Sequence, residues 1–157
     1  MKKLLLLSLT AGFLLIAKTD AIAQSYENAI GVRLGPYNGI NYKTFLNSNK
    51  ALDFNLSFRN NDDFDRFFFT GLYEVHNPIN DAPGLNWYYG GGASIGSYKR
   101  RDFDGEVFFS ADGVIGLDYK FNDAPINLAL DWRPRLEITP NSGLSSNDLG
   151  LAIRFTF

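Results

Sequence analysis

The chain has 157 residues, of which 45% are hydrophobic, 20% are charged and 15% are aromatic, and its formal net charge is −2. This length fits a single domain, and the apolar and aromatic fractions exclude a disordered chain. Because cysteine is absent, the sequence also excludes a disulfide scaffold, a thiolate zinc site, a cysteine nucleophile and a cysteine-anchored lipoprotein.

The first 23 residues have the pattern of a secretory signal peptide. Lys2 and Lys3 precede an apolar run at 4–16, and Ala21-Ile22-Ala23 forms a small-x-small cleavage site. The run is shorter than the roughly 20 residues that a membrane-spanning helix needs. We therefore predict a signal peptide at 1–23 and an exported domain at 24–157. A retained membrane anchor is the alternative interpretation.

Removal of the signal peptide changes the charge balance of the exported part. The segment contains Lys2, Lys3, Lys18 and Asp20, so that 12 of the 15 basic residues and 16 of the 17 acidic residues are left. The mature domain then has a net charge of −4 and no basic stripe, which argues against a nucleic-acid partner.

From residue 29 onwards, apolar and polar residues alternate with the period of β-strands. Stretches rich in Gly, Pro, Asn and Asp separate the alternating segments. The predicted strands are residues 29–35, 39–46, 51–59, 67–76, 85–98, 106–120, 126–138 and 149–157. Eight antiparallel strands with short connections predict an all-β, up-and-down barrel, because closure leaves no free strand edge.

The polar face of the predicted barrel carries equal numbers of basic and acidic residues. Such a balance suits an enclosed lumen, where an uncompensated charge is costly, and it favours a transmembrane barrel with its apolar face outward. On the fifth strand, Gly90, Gly92 and Gly96 are expected to leave room for long Arg and Lys side chains in that lumen. A soluble lipocalin-like barrel with an apolar interior is the alternative. The balanced set consists of Arg33, Lys43, Arg59, Lys120, Arg133, Arg135 and Arg154 against Asp53, Glu74, Asp112, Asp118, Asp131, Glu137 and Asp148.

We predict that most of these charges form a network that closes the lumen. On the seventh strand, alternate positions carry charges, so that four of them point inward together. A narrow ion channel is the alternative, but eight strands leave an interior only just wide enough for side chains. The predicted lumen charge network consists of Arg33, Asp53, Glu74, Asp112, Asp118, Asp131, Arg133, Arg135, Glu137 and Arg154.

Aromatic residues recur near strand ends on the apolar face, and the chain ends on Arg154-Phe155-Thr156-Phe157. Together with the signal peptide and eight amphipathic strands, this pattern resembles the OmpA/OmpX-like outer-membrane β-barrel proteins of Gram-negative bacteria, over essentially all of 24–157. The resemblance implies a location in the cell outer membrane with both termini in the periplasm. It also implies that Phe155 and Phe157 are the signal read by the barrel-assembly machinery. Because this class performs several unrelated tasks, the resemblance does not supply a function.

Basic residues at the third outer loop are a candidate contact for lipid. Lys99, Arg100 and Arg101 stand together there, and such bases can bind lipopolysaccharide phosphates. A solvated loop of mixed charge is the alternative. In the second outer loop, the acidic residues 62, 63 and 65 match no calcium loop in their spacing.

His76 is the only histidine of the chain. Barrels that modify lipid A or phospholipids need an activated hydroxyl, usually with a histidine base. On the predicted topology His76 lies at the periplasmic end of the fourth strand, away from outer-leaflet lipid. We therefore expect a polar residue at the barrel rim, no enzymatic activity, and no cofactor or metal. A lipid-modifying enzyme is the alternative.

Small residues cluster on the predicted lipid face. If the third outer turn is centred near residue 102, Gly91 faces Gly113 and Ala93 faces Ala111. This patch is either a dimer seam or acyl-chain groove, or it relieves crowding beneath larger rings on the fourth strand. The function that we predict is a monomeric, non-enzymatic outer-membrane protein with a structural or surface-interaction role, in contact with outer-membrane lipid and lipopolysaccharide.

Overall fold

The computed structural model describes residues 26–60, 64–100 and 105–157. The predicted signal peptide at 1–23 and Arg101 lie outside these residues. Within them, no helix is long and apolar enough to cross a membrane. The strands of the described part are β1 (Asn28–Leu34), β2 (Asn38–Phe45), β3 (Lys50–Asn60), β4 (Phe64–Pro78), β5 (Leu85–Arg100), β6 (Glu106–Lys120), β7 (Ile126–Trp132), β8 (Arg135–Thr139), β9 (Gly143–Ser145) and β10 (Leu149–Thr156).

These strands form one antiparallel sheet that closes on itself. Consecutive strands pair from β1 to β6, β7 pairs with β6 and β10, and β1 pairs with β10. The pairing between β5 and β6 completes the circle. Closure satisfies the backbone groups that an open sheet would leave at its edges. The predicted all-β, up-and-down barrel is confirmed.

The seventh barrel strand is interrupted at Pro134, and β7 and β8 are its two parts. Both pair with β6 in one register, with Trp132 opposite Ile115 and Arg135 opposite Asp112. Proline has no N–H to donate to the sheet, but the Pro134 carbonyl still accepts from the Gly113 N–H at 2.8 Å. In the same way, β9 and β10 are two parts of the eighth strand. Counted in this way, the described strands make an eight-stranded barrel.

The predicted strand bounds agree with the structure within two residues, except at the start of the fourth strand and in the connection that precedes the last one. The fourth and fifth strands extend to 64–78 and 85–100, and β9 lies between the predicted seventh and eighth strands. Leu144 of β9 pairs with Leu136 of β8. A three-residue strand is too short to show a period of two, so the sequence pattern does not indicate it.

The two ends of the barrel differ in what they contain, and we name them accordingly. The terminal end holds the start of β1, the end of β10 and the turns at 46–49, 79–84 and 121–125. The loop end holds the connections at 35–37 and 140–142, the ends of β3 and β5, and the starts of β4 and β6.

The apolar face of every barrel strand points outward, as predicted. Leu117, Leu130 and Leu151 are neighbours across three strands and are 44%, 48% and 41% exposed. The next residues along two of these strands, Asp118 and Ala152, are fully buried. A soluble barrel would have the opposite arrangement, so the alternative of a lipocalin-like barrel with an apolar interior is excluded.

The glycines of β5 do not serve the purpose that the sequence suggested. A Cβ on Gly92 would lie 1.9 Å from the Gly71 carbonyl oxygen, and Gly90 and Gly96 meet backbone oxygens of β4 at 2.0 Å. The glycines are therefore required by close approach of two backbones, not by neighbouring Arg or Lys side chains. Among the described glycines, only Gly150 leaves room for a long basic side chain, because a Cβ there would lie 2.3 Å from Cζ of Arg33.

Candidate functional site

The lumen of the barrel is filled by interlocking charged and aromatic side chains, and it is the candidate functional site. Alternation along each strand turns these side chains inward. From the terminal end to the loop end, the filling has four parts, which are described in that order.

The first part is centred on Lys43 of β2. Its Nζ lies 2.6 Å from Oε2 of Glu74 and 4.3 Å from the ring centroid of Tyr88. The imidazole of His76 stacks on the ring of Tyr88 with 4.8 Å between centroids, and its Nε2 is 3.0 Å from Glu74 Oε2. All four side chains are buried. The expectation that His76 lies at the rim is wrong, because its ring is enclosed by Phe45 and Tyr88.

The second part surrounds the carboxylate of Asp53. Arg154 Nη2 donates to one of its oxygens at 3.2 Å and Arg133 Nη2 donates to the other at 3.3 Å. The amides of Asn41 and Asn55 also donate to Asp53, at 2.9 and 2.5 Å. Several donors on one carboxylate compensate the free-energy cost of removing its charge from water.

The third part joins Arg33 to two carboxylates. Its Nη2 lies 2.6 Å from Asp131 Oδ1, and its Nη1 lies 2.9 Å from Asp148 Oδ1. Arg133 Nη2 reaches the other oxygen of Asp131 at 3.0 Å, and the Tyr88 hydroxyl donates to the same oxygen at 2.9 Å. Asp131 thus links the wall of β7 to β1 and β5.

The fourth part is a hydroxyl chain that ends on Asp112. Ser94 donates to Asp112, so the 2.6 Å contact between Thr70 and Ser94 has Thr70 as its donor. Ser110 and Arg135 Nε donate to the remaining oxygen of Asp112, each at 2.9 Å. This series of hydrogen bonds crosses β4, β5, β6 and β8, and every hydroxyl in it has a partner.

Aromatic rings cover this part at the loop end. Tyr37, Phe68 and Phe108 are packed with centroids 5.1 and 5.4 Å apart. The guanidinium of Arg135 lies 4.4 Å from the Phe68 ring, in a cation–π contact. Arg66 lies above them and forms an ion pair with Glu137 at 2.8 Å. We call Tyr37, Phe68 and Phe108 the aromatic layer.

The structure places all ten residues of the predicted lumen charge network on the inner wall. Nine of them are buried, and Glu137 is half-buried at the loop end. Glu137 forms an ion pair with Arg66, which is not one of the predicted members. Sequence reasoning put Lys43 on the polar face but left it out of the network. It missed Tyr88 and the aromatic layer altogether, because an inward ring in a run such as Phe67-Phe68-Phe69 cannot be separated from its outward neighbours by composition.

Three of the remaining predicted residues, Lys99, Phe155 and Phe157, lie on the outside. Phe155 and Phe157 are exposed, with stacked rings 6.5 Å apart at the terminal end. Lys99 is exposed near the end of β5, where it pairs in register with Asp65. The side chain of Arg100 and the whole of Arg101 lie outside the described part, as do residues 62 and 63. No group of three or more His, Asp or Glu residues suited to a metal ion occurs in the described part.

The predicted pairing of small residues on the lipid face is confirmed. Gly91 faces Gly113 and Ala93 faces Ala111. Part of this patch is covered by the chain itself, since the Phe54 ring lies 3.7 Å from the position of a Cβ on Gly71, the partner of Ala93. Pro134 comes within 3.3 Å of a Cβ on Gly113. Gly71 and Gly113 therefore accommodate larger neighbours of the same barrel, whereas Gly91, Ala93 and Ala111 are exposed.

Comparisons with known proteins identify the architecture. No family model and no curated protein matches the chain. Among solved structures, it is similar to the N-terminal β-barrel domain of Pseudomonas aeruginosa OprF, with 14% identity, a TM-score of 0.65, and coverage of 83% of this chain and 95% of that one. It is also similar to Neisserial surface protein A, NspA, with 12% identity, a TM-score of 0.54, and coverage of 83% and 93%. At these identities the likeness shows the fold alone, a closed antiparallel β-barrel of the small OmpA/OmpX-like type.

Proposed function

We propose that this chain is an integral protein of a bacterial outer membrane, a barrel that spans the bilayer with its lumen closed by its own side chains. The observation that carries the proposal is the inverted polarity of the barrel. Leucine, isoleucine and phenylalanine side chains cover the outside, while arginine and aspartate side chains are buried inside. Such an outer surface is stable against hydrocarbon and would aggregate in water.

The filled lumen supports a role that does not involve transport. Arg154 and Lys43 are fully buried and held by carboxylates on other strands. The aromatic layer adds apolar rings across the loop end. An eight-stranded barrel has no space for a water channel beside such side chains. We therefore favour a structural or surface-interaction role over the narrow channel.

The position of the histidine supports a non-enzymatic role. Lipid-modifying catalysis with a histidine base needs that base next to a hydroxyl and within reach of the lipid. His76 is 2% exposed and its Nε2 is directed at Glu74. The imidazole therefore has no open path to lipid on the outside of the barrel.

We further propose that the terminal end faces the periplasm and that the loop end faces the cell exterior. With this orientation Lys99 lies at the level of the outer-leaflet headgroups, above the apolar side chains Phe67 and Ile95 on the same outer face. Lys99, Arg100 and Arg101 would then bind lipopolysaccharide phosphates. Phe155 and Phe157 would be read by the barrel-assembly machinery before insertion.

Membrane fractionation and gel mobility test the first part of the proposal. We expect the full chain in the outer-membrane fraction, with a gel mobility that changes on boiling because the closed barrel resists detergent at room temperature. Recovery in the soluble periplasmic fraction would contradict the proposal. The purified protein in planar bilayers is expected to give no conductance steps, and steps that scale with protein concentration would contradict the closed lumen.

Replacement of the three basic residues by glutamine tests the lipid contact. We expect less lipopolysaccharide to co-purify with the Lys99→Gln, Arg100→Gln, Arg101→Gln variant, because its phosphates lose charged donors. Lys50→Gln is the matched control, since Lys50 is exposed at the terminal end. Equal amounts of lipopolysaccharide on both variants would overturn this contact.

A further inference from the structure

At the terminal end of the lumen, four buried atoms have no hydrogen-bond partner within the part of the chain that the structure describes. They are the Tyr26 hydroxyl, Glu74 Oε1, His76 Nδ1 and Asp118 Oδ2. Asp118 Oδ2 has only distant cations, with Arg154 Nη1 at 3.5 Å and Lys43 Nζ at 3.8 Å. Buried polar atoms without partners are rare in folded proteins, and an ordered water is the usual partner where several occur together.

The four atoms belong to one cluster. Lys43 Nζ contacts both carboxylates, at 2.6 Å to Glu74 and 3.8 Å to Asp118. Tyr26 packs on Phe45 with 5.2 Å between centroids, and Phe45 packs on His76 at 5.0 Å. The four open atoms therefore belong to side chains that are linked through Lys43 and Phe45 at the terminal end of the lumen.

The hydrogen-bonding roles of these atoms define the kind of small guest that would satisfy them. A carboxylate only accepts, so the 3.0 Å contact between His76 Nε2 and Glu74 Oε2 assigns the ring proton to Nε2. Lys43 Nζ also lies 3.5 Å from Nε2, but its close acceptor is Glu74 Oε2 at 2.6 Å. Nδ1 of the neutral ring is then an acceptor, as are the two carboxylate oxygens. Burial raises the pKa of the Tyr26 hydroxyl well above its usual range, and the charge of Asp118 raises this pKa further. Tyr26 therefore stays protonated.

The charge balance of the sealed lumen also favours a guest that donates hydrogen bonds. Among the described residues, six carboxylates and six cationic side chains are buried in the lumen, but Lys120 points to the backbone carbonyls of Phe121 and Ala124 at the mouth. Five cations therefore face six carboxylates: Arg33, Lys43, Arg133, Arg135 and Arg154 against Asp53, Glu74, Asp112, Asp118, Asp131 and Asp148. The negative excess is compatible with a donor and not with an anion.

A route from solvent to the cluster passes Tyr26. A cavity of about 370 Å³ opens at the terminal end, and Tyr26, Lys120, Asp123 and Phe157 are among the residues that line it. Tyr26 thus separates this solvent-facing cavity from the buried cluster and has an open atom of its own.

We propose that the cluster of Tyr26, Glu74, His76 and Asp118 is an internal water site, and that Tyr26 controls exchange of this water with solvent at the terminal end. The water donates to His76 Nδ1 and to a carboxylate oxygen, and it accepts from the Tyr26 hydroxyl. The site gives the enclosed imidazole its only polar contact with solvent among the described residues.

The single histidine makes the test direct. The folded full chain is prepared in lipid bilayers with 15N-labelled histidine, and magnetisation transfer from water protons to the imidazole is recorded by solid-state NMR. We expect a protonated Nε2 and a non-protonated Nδ1 in contact with water. Absence of transfer from water in the wild-type chain would overturn the proposal.

Tyr26→Phe tests the control by the hydroxyl, because it keeps the ring and removes the donor. We expect most of the water-to-imidazole transfer to be lost or its exchange rate to change, while the boiling-dependent gel mobility is retained. Tyr42→Phe is the matched control, since the Tyr42 hydroxyl donates to Asn28 at 2.8 Å away from the cluster. Identical transfer in Tyr26→Phe and the wild type would contradict the role of Tyr26.

Discussion

Arg154 in β10 and Asp53 in β3 form an ion pair inside the barrel, with 3.2 Å between Nη2 and Oδ2. The two residues are 101 positions apart in the chain, and β1 and β2 separate their strands in the sheet. Both side chains are fully buried. The pair therefore exists only after the last strand has closed the barrel, and it connects the charge network to closure.

Removal of the Asp53 charge is expected to destabilise the barrel strongly. Asp53→Asn leaves Arg133, Arg154 and Lys43 without a carboxylate that all three contact, and breaking a buried pair in this way costs about 3–5 kcal/mol. Urea unfolding in lipid vesicles, followed by the fluorescence of Trp87 and Trp132, measures the change. Asp123→Asn is the control, because Asp123 is exposed in a turn; an equal effect of both variants would contradict the network.

Phe68 and Phe69 are adjacent in sequence but face opposite sides of the wall. Phe68 is 1% exposed and belongs to the aromatic layer, whereas Phe69 is 44% exposed on the outer face. Phe68→Ala should lower the free energy of unfolding by about 3–5 kcal/mol through a cavity in the lumen. Phe69→Ala should cost clearly less, because lipid tails fill the vacated space. The same unfolding experiment compares them, and a larger loss for Phe69→Ala would refute the assigned faces.

Gly92 is expected to tolerate no side chain. A Cβ there meets the Gly71 carbonyl oxygen at 1.9 Å, so that Gly92→Ala must push β4 and β5 apart at a cost of about 1–3 kcal/mol. Gly143→Ala meets nothing within 4 Å and should change stability by less than about 0.5 kcal/mol. The midpoints of urea unfolding measure the difference between the two variants. Equal midpoints for Gly92→Ala and Gly143→Ala would contradict the close approach of the β4 and β5 backbones at Gly92.

A charge on the outer face tests whether lipid surrounds the barrel. Leu130 lies in a row of exposed leucines on β6, β7 and β10, and Leu130→Arg at the bilayer midplane should cost about 2–4 kcal/mol. Leu144→Arg at the loop end should cost roughly 0–1 kcal/mol, because arginine near the interface reaches headgroups. Unfolding in vesicles measures both variants. Similar small effects at both positions would indicate that the outer face does not lie in hydrocarbon.

The sequence by itself determined the architecture. A period of two is sufficient to assign strands and faces, because each side chain in a strand must point away from the next. Equal numbers of opposite charges on the polar face indicated which face is enclosed. The expected centre of the third outer turn, near residue 102, predicted the pairing of Gly91 with Gly113, since a short turn fixes the register of the two strands that it joins.

Only the tertiary structure decided what each inward side chain contacts. Burial of His76, the partners of Asp53 and the inward rings of Phe68, Phe108 and Tyr88 depend on how eight strands are staggered around the barrel, and alternation along one strand contains no information on stagger. The role of Gly92 likewise depends on the distance between two backbones. The inside of the barrel could be recognised from single strands, but its contacts arise between strands that are distant in sequence, and these are set by closure.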